Sequence, residues 1–167
     1  MTVLKYSFSL TPPAPPQPPA RHSYAYTEFL LELETRWRQV PTDEDDTLTF
    51  RSDADGAALI ISADFYEIAD DQAQGVAEVA VESRIEAIRQ ASAGPVQVLH
   101  RAIQPHSGGT GLEMSFAVEA EGDHVHLYLG YVTTRKVLNF TMVCAPGKQA
   151  AVALFNATVP GFRPRLP

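Results

Sequence analysis

The side chains with most chemistry to offer are a few histidines, one thiol and two loops. His124 and His126 stand two apart, so on a strand both rings face one side, and His100 on another strand could supply a third metal ligand. No Asp or Glu is patterned to complete such a site, and a histidine pair on a solvated face accounts for the spacing. The run His106-Ser107-Gly108-Gly109-Thr110-Gly111 offers backbone amides to a phosphate. It lacks the Lys-Ser/Thr that should follow, and it leads into a strand rather than a helix. Ser107 beside His106 has neither a nucleophile elbow nor an acid to orient the base. The acidic turn Asp43, Glu44, Asp45 and Asp46 lacks the alternation and the glycine of a calcium loop. A single cysteine, Cys144 in an apolar run, excludes an internal disulfide and reads as a buried structural thiol. The expectation is no catalytic residue, no metal and no cofactor: a binding protein, not an enzyme.

Bulk properties narrow the class further. With 167 residues, 45% hydrophobic and 20% charged, the chain suits one globular domain with a real core. A net charge of -7 and a pI near 5.1 argue against nucleic acid, whose phosphates need clustered Lys and Arg. The charge is uneven. All 20 acids lie between residues 28 and 123, against six arginines, whereas residues 124–167 hold no acid but carry Arg135, Lys136, Lys148, Arg163 and Arg165. Either this basic tail neutralises the acidic body or it forms a site for an anionic partner. No apolar signal region follows Met1 and no run nears the roughly 20 apolar residues of a spanning helix, so the expected location is cytoplasmic, with no membrane partner.

The chemistry-bearing residues must be positioned by the elements around them. Residues 11–20 hold six of the 13 prolines and favour extended polyproline II, so residues 1–22 are expected to form an arm and residues 23–167 a single α+β domain. Around 29–34 the apolar residues alternate as in a strand, although the stretch 32–39 also fits a helical turn. Strands are expected at 47–51 and 57–66, joined by a turn at 53–56. One long helix should span 70–92, capped by Asp70 or Asp71 and ended by Gly94-Pro95. Its apolar arc holds Ala73, Ala77, Ala80, Val81, Ile85, Ile88 and Ala91; Arg84 within that arc should snorkel or find a carboxylate. Strands at 96–103, 112–119, 124–133 and 137–144 and a short helix at 145–158 complete the order. Hairpin-linked strands predict an antiparallel sheet flanked by one long and one short helix.

Two strands define the candidate site. In 57–66, Leu59, Ile61, Ala63 and Phe65 share one face, and Ile60, Ser62, Asp64 and Tyr66 the other. In 124–133, Val125, Leu127, Leu129 and Tyr131 oppose His126, Tyr128, Gly130 and Val132. One set must pack on the helices. The mixed set suits an exposed binding face, with Asp64, Tyr66, His126, Tyr128 and Val132 as its expected contacts, because Tyr combines contact area with a polar tip.

The wording of the chain carries a resemblance as well. LLELETRWRQVP, LIISADFY, the long helix, HLYLGYVTTRKVLNFTMVCAP and a last helix closing on VPGF occur in that order. Over residues 24–162 this resembles the PsbP-like fold of photosystem PsbP proteins and bacterial DcrB-type proteins, a group that includes the EagR chaperones of type VI secretion. The resemblance implies a non-enzymatic accessory protein holding an effector or toxin segment on its sheet. The alternative is an immunity protein whose acidic body blocks a basic toxin site. Open sheet edges make a homodimer reasonable.

Overall fold

The computed structural model describes residues 14–17 and 19–166. The start of the chain, including residues 2–10 considered for a signal region and residues 11–13 and 18 of the proline-rich arm, lies outside the described residues. Residues 14–17, 19 and 20 are exposed and without regular structure. Ordered pairing begins when the Ala20 carbonyl accepts the Thr35 N–H at 3.0 Å.

Ten strands and two helices follow in the order β1 (Arg21–Ala25), β2 (Phe29–Glu34), β3 (Arg38–Val40), β4 (Thr47–Ser52), β5 (Ala57–Phe65), α1 (Ala73–Ala91), β6 (Val96–Pro105), β7 (Leu112–Ala120), β8 (Val125–Val132), β9 (Lys136–Cys144), α2 (Lys148–Thr158) and β10 (Phe162–Pro164). Seven strands form one antiparallel sheet in the order β3-β4-β5-β9-β8-β7-β6, and β1-β2-β10 form a second, small antiparallel sheet. The chain is thus α+β with one long and one short helix. The stretch 32–39 is strand, turn and strand rather than helix, because β2 finds partners on both edges and Trp37 is buried beside it.

The large sheet is covered differently on its two faces. Leu59, Ile61, Val125, Leu127, Leu138, Phe140 and Met142 meet Phe29, Leu31 and Leu33 of the small sheet, with Ala151 of α2 and Phe162 of β10. Ala77, Val81 and Ile85 of α1 press on Met114, Phe116, Val118, Tyr128 and Val132 from the other side. α1 packs across β6, β7 and β8. Beyond it, the same face of β4, β5 and β9 presents Thr47, Thr49, Ala58, Ser62, Thr141 and Val143, half-buried, with Ile60 38% exposed.

Asp70 and Asp71 do not cap α1 through their side chains. They sit inside a 3-10 turn (Asp70–Gln72) that leads into the helix, and the Gln72 side chain accepts the Ala69 N–H at 3.2 Å. Their charge still faces the positive end of the helix dipole. At the other end Ser92 Oγ donates to the Ile88 carbonyl at 2.7 Å before Gly94-Pro95 turns the chain.

Candidate functional site

The expected contacts divide when the sheet is assembled. Tyr128 and Val132 are both 0% exposed. They form the floor under α1, so the mixed face is a core face where the helix crosses it, and neither residue can anchor a partner on the folded surface. The reason lies in layer assignment: the small sheet and α2 cover the apolar face of β5, β8 and β9, and α1 packs on the opposite face, where β7 offers Met114, Phe116 and Val118. Asp64 is exposed, while His126 and Tyr66 are half-buried near the border of the uncovered area.

A polar seam runs along that border. Tyr128 OH donates to Asn139 Oδ1 at 2.5 Å, and Asn139 Nδ2 donates to Ser62 Oγ at 3.2 Å and Asp64 Oδ2 at 3.3 Å. Arg84 finds an aromatic face rather than a carboxylate, its guanidinium carbon 4.9 Å from the centre of the Tyr128 ring. Burial pushes the Tyr128 phenol well above its ordinary range despite the nearby Arg84 charge. Gly130 makes the seam possible, because a Cβ there would stand 2.1 Å from Tyr128 Oη. Sequence reading missed Asn139 altogether, and it singled out Arg84 without its aromatic partner. Their signal was weak: one Asn in an apolar strand and one Arg in an apolar helical arc.

Tyr66 serves the neighbouring turn. Its hydroxyl donates to the carbonyls of Thr133 and Lys136, both at 3.1 Å, and its N–H donates to the Arg135 carbonyl at 2.9 Å. Desolvation, then the Asp64 charge, raises its phenol to about 12. Tyr66 therefore holds the β8–β9 turn in place. On the far side of that turn a cavity of about 440 Å³ is lined by Thr27, Glu28, Phe65, Thr133, Arg135, Lys136, Arg165 and Leu166.

The remaining candidates take structural roles. His100 Nε2 lies 3.0 Å from Ser115 Oγ, and the register His100↔Ala117↔Leu127 puts it on the face opposite His126. It cannot join the His124–His126 pair, whose rings are 6.4 Å apart, and His124 pairs with Asp123 instead. Among the described residues no group of three His, Cys, Asp or Glu side chains could hold a metal. His106 packs edge-on against Tyr131 at 4.7 Å, beneath Gly108 and Gly109, so the loop that suggested a phosphate cradle roofs an aromatic contact. Cys144 is buried, and desolvation, then Asp55, raises its thiol to about 11. Among the described residues no helix is long and apolar enough to cross a membrane.

No family model and no curated protein matches the sequence. Solved structures do match. The solution structure of cyanobacterial PsbP (CyanoP) from Synechocystis sp. PCC 6803 superposes with a TM-score of 0.62 at 14% identity, covering 93% of this chain and 99% of that one. The Ran-binding protein Mog1p of Saccharomyces cerevisiae superposes with a TM-score of 0.57 at 8% identity, covering 87% and 96%. At these identities the likeness is one of architecture, and this chain has the PsbP-like fold.

Proposed function

We propose that this chain is a non-enzymatic binding protein that holds a segment of a partner protein on the uncovered part of its large sheet. The observation that carries the reading is the half-covered face: α1 spans three strands, and the surface beside it is rich in β-branched side chains and bordered by Asp64 and His126. Mog1p, a Ran-binding protein of the same architecture, lends support to a protein partner. Within this reading the finer role is that of a chaperone or adaptor of a type VI secretion effector, as the EagR resemblance suggests. The test is capture of the partner with tagged protein, followed by calorimetry on Ile60→Arg and Thr141→Arg. Each should weaken binding at least about tenfold, since a desolvated interface does not accommodate an unpaired charge. Unchanged affinity in both variants, with folding intact, would move the site elsewhere. Turnover in a hydrolase screen, abolished by His126→Ala, would overturn the binding class.

The acidic stretch 28–123 favours a second reading, an immunity protein directed at a basic toxin. The captured partner separates the two. An immunity protein abolishes the partner's toxic activity in vitro, whereas a chaperone keeps a hydrophobic segment soluble and leaves that activity alone.

A further inference from the structure

Through its Lys and Arg side chains, the acid-free end of the chain meets the acidic body in one ion pair among the described residues, Lys136 with Glu28. Of its cations, Arg135, Lys136 and Arg165 converge on the 440 Å³ cavity below the β8–β9 turn. Lys136 is satisfied, with its ammonium on Glu28 and donating to the Arg165 carbonyl at 2.7 Å. Glu28 is the one carboxylate in the lining, and it is taken by that lysine. Neither Arg135 nor Arg165 has a carboxylate within ion-pair distance among the described residues. Phe65 opposes Lys136 in the β5–β9 register, lines the cavity and is 57% exposed.

The frame around these groups is fixed by backbone bonds. Arg165 N–H donates to the Glu28 carbonyl at 2.8 Å, while its own carbonyl is held by Lys136. Arg135 is held through its carbonyl by the Tyr66 N–H. Two guanidinium groups with no carboxylate partner among the described residues, an exposed ring and a concave floor thus stand on a hydrogen-bonded frame in a protein of net charge -7. Guanidinium forks match carboxylates in pairs of hydrogen bonds, and an exposed ring matches an apolar side chain.

We infer that this cavity binds an acidic peptide segment of a partner protein, a carboxylate seated on Arg135 and Arg165 and the next apolar side chain against Phe65. The cavity volume is that of a few side chains, so the ligand is a short stretch rather than a whole domain face. The site is separate from the uncovered sheet surface, and Ile60→Arg should leave it intact.

The test is fluorescence anisotropy with a labelled nonapeptide alternating Glu and Phe, beside the same peptide with Gln and with Lys in place of Glu. The Glu peptide should bind at least about tenfold tighter than the Gln peptide, and more weakly as salt rises. Arg135→Ala, Arg165→Ala and Phe65→Ser should each reduce its affinity about tenfold, while Lys148→Ala on α2 and Ile60→Arg should not. These exposed positions should leave the thermal transition in place, which circular dichroism verifies. Equal binding of the Gln peptide, no binding of the Glu peptide, or retained affinity in both arginine variants overturns the inference. So does phenylacetate binding as tightly as the peptide, which marks a small-anion site. Anionic vesicles or an oligonucleotide binding with the same variant dependence, in place of the peptide, would also overturn it.

Discussion

At the residue scale, the seam between α1 and the sheet works because three residues fit one another. Tyr128 Oη occupies the space that Gly130 leaves open and reaches Asn139 across the strand pair. Gly130→Ala should therefore cost about 1–3 kcal/mol by overpacking, and Tyr128→Phe about 1–3 kcal/mol by leaving the buried Asn139 oxygen unpaired. Removing the hydroxyl also relieves the closest clash with the new methyl, so the double variant should lose less than the sum of the two, read from urea midpoints. Strict additivity would mean that the strand shifts instead. His126 carries a pH consequence. Burial, then the neighbouring His124, lowers its pKa below 6.5, while Asp123 opposes the shift. The unfolded chain then takes up the proton first, so stability is full above pH 6.5 and falls as the pH drops from there through the folded-state value. His126→Asn should lose less stability than the parent between pH 7.5 and pH 5.5, and an identical loss in both would contradict this assignment.

At the element scale, the proline-rich start and the first strand should behave as different things. Ala14–Gln17 make no regular structure, whereas Tyr24 of β1 packs edge-on against Phe50 at 5.4 Å and Ala20 accepts from Thr35. Deleting residues 1–19 should change stability by less than about 1 kcal/mol, while deleting residues 1–25 should cost several times more, because it strips β2 of one neighbour. Comparable melting temperatures for the two deletions would show that β1 adds nothing. Much of this layout was legible in the sequence. The period of α1, the alternation in β5, β7, β8 and β9, and the Gly-Pro stop after α1 all report local preferences. What was not legible depends on pairing rather than on local preference. β3 and β10 are three residues each, too short to show a period, and they exist only because β4 and β2 offer an edge. The exposure of Tyr128 was misread for the same reason: alternation tells which residues share a face, but not which layer lands on it. Asp64 and His126 share that face with Tyr128, and only their distance from α1 keeps them near the surface.

At the scale of the whole molecule, one sheet serves two cores, and this should make the protein a single cooperative unit. β8 gives Val125, Leu127 and Tyr131 to one side and Tyr128 and Val132 to the other; β9 gives Leu138, Phe140 and Met142 to one side and Val137 to the other. Neither core can dissolve without releasing strands that floor its counterpart, so partial unfolding has no stable intermediate to populate. Two probes sit conveniently on opposite sides. Trp37, buried in the core beneath the small sheet, reports one, and the helicity of α1 dominates the other. Leu127→Ala opens a cavity in the first core and Ile85→Ala in the second, each expected to cost about 2–5 kcal/mol. In both variants Trp37 fluorescence and far-ultraviolet ellipticity should trace the same urea transition, shifted by the same amount. A variant in which α1 melts while Trp37 stays buried would show that the helix is an independent cover over the sheet. The uncovered strip beside α1 would then widen on demand, and the proposed binding surface would have to be redrawn to include the floor under the helix.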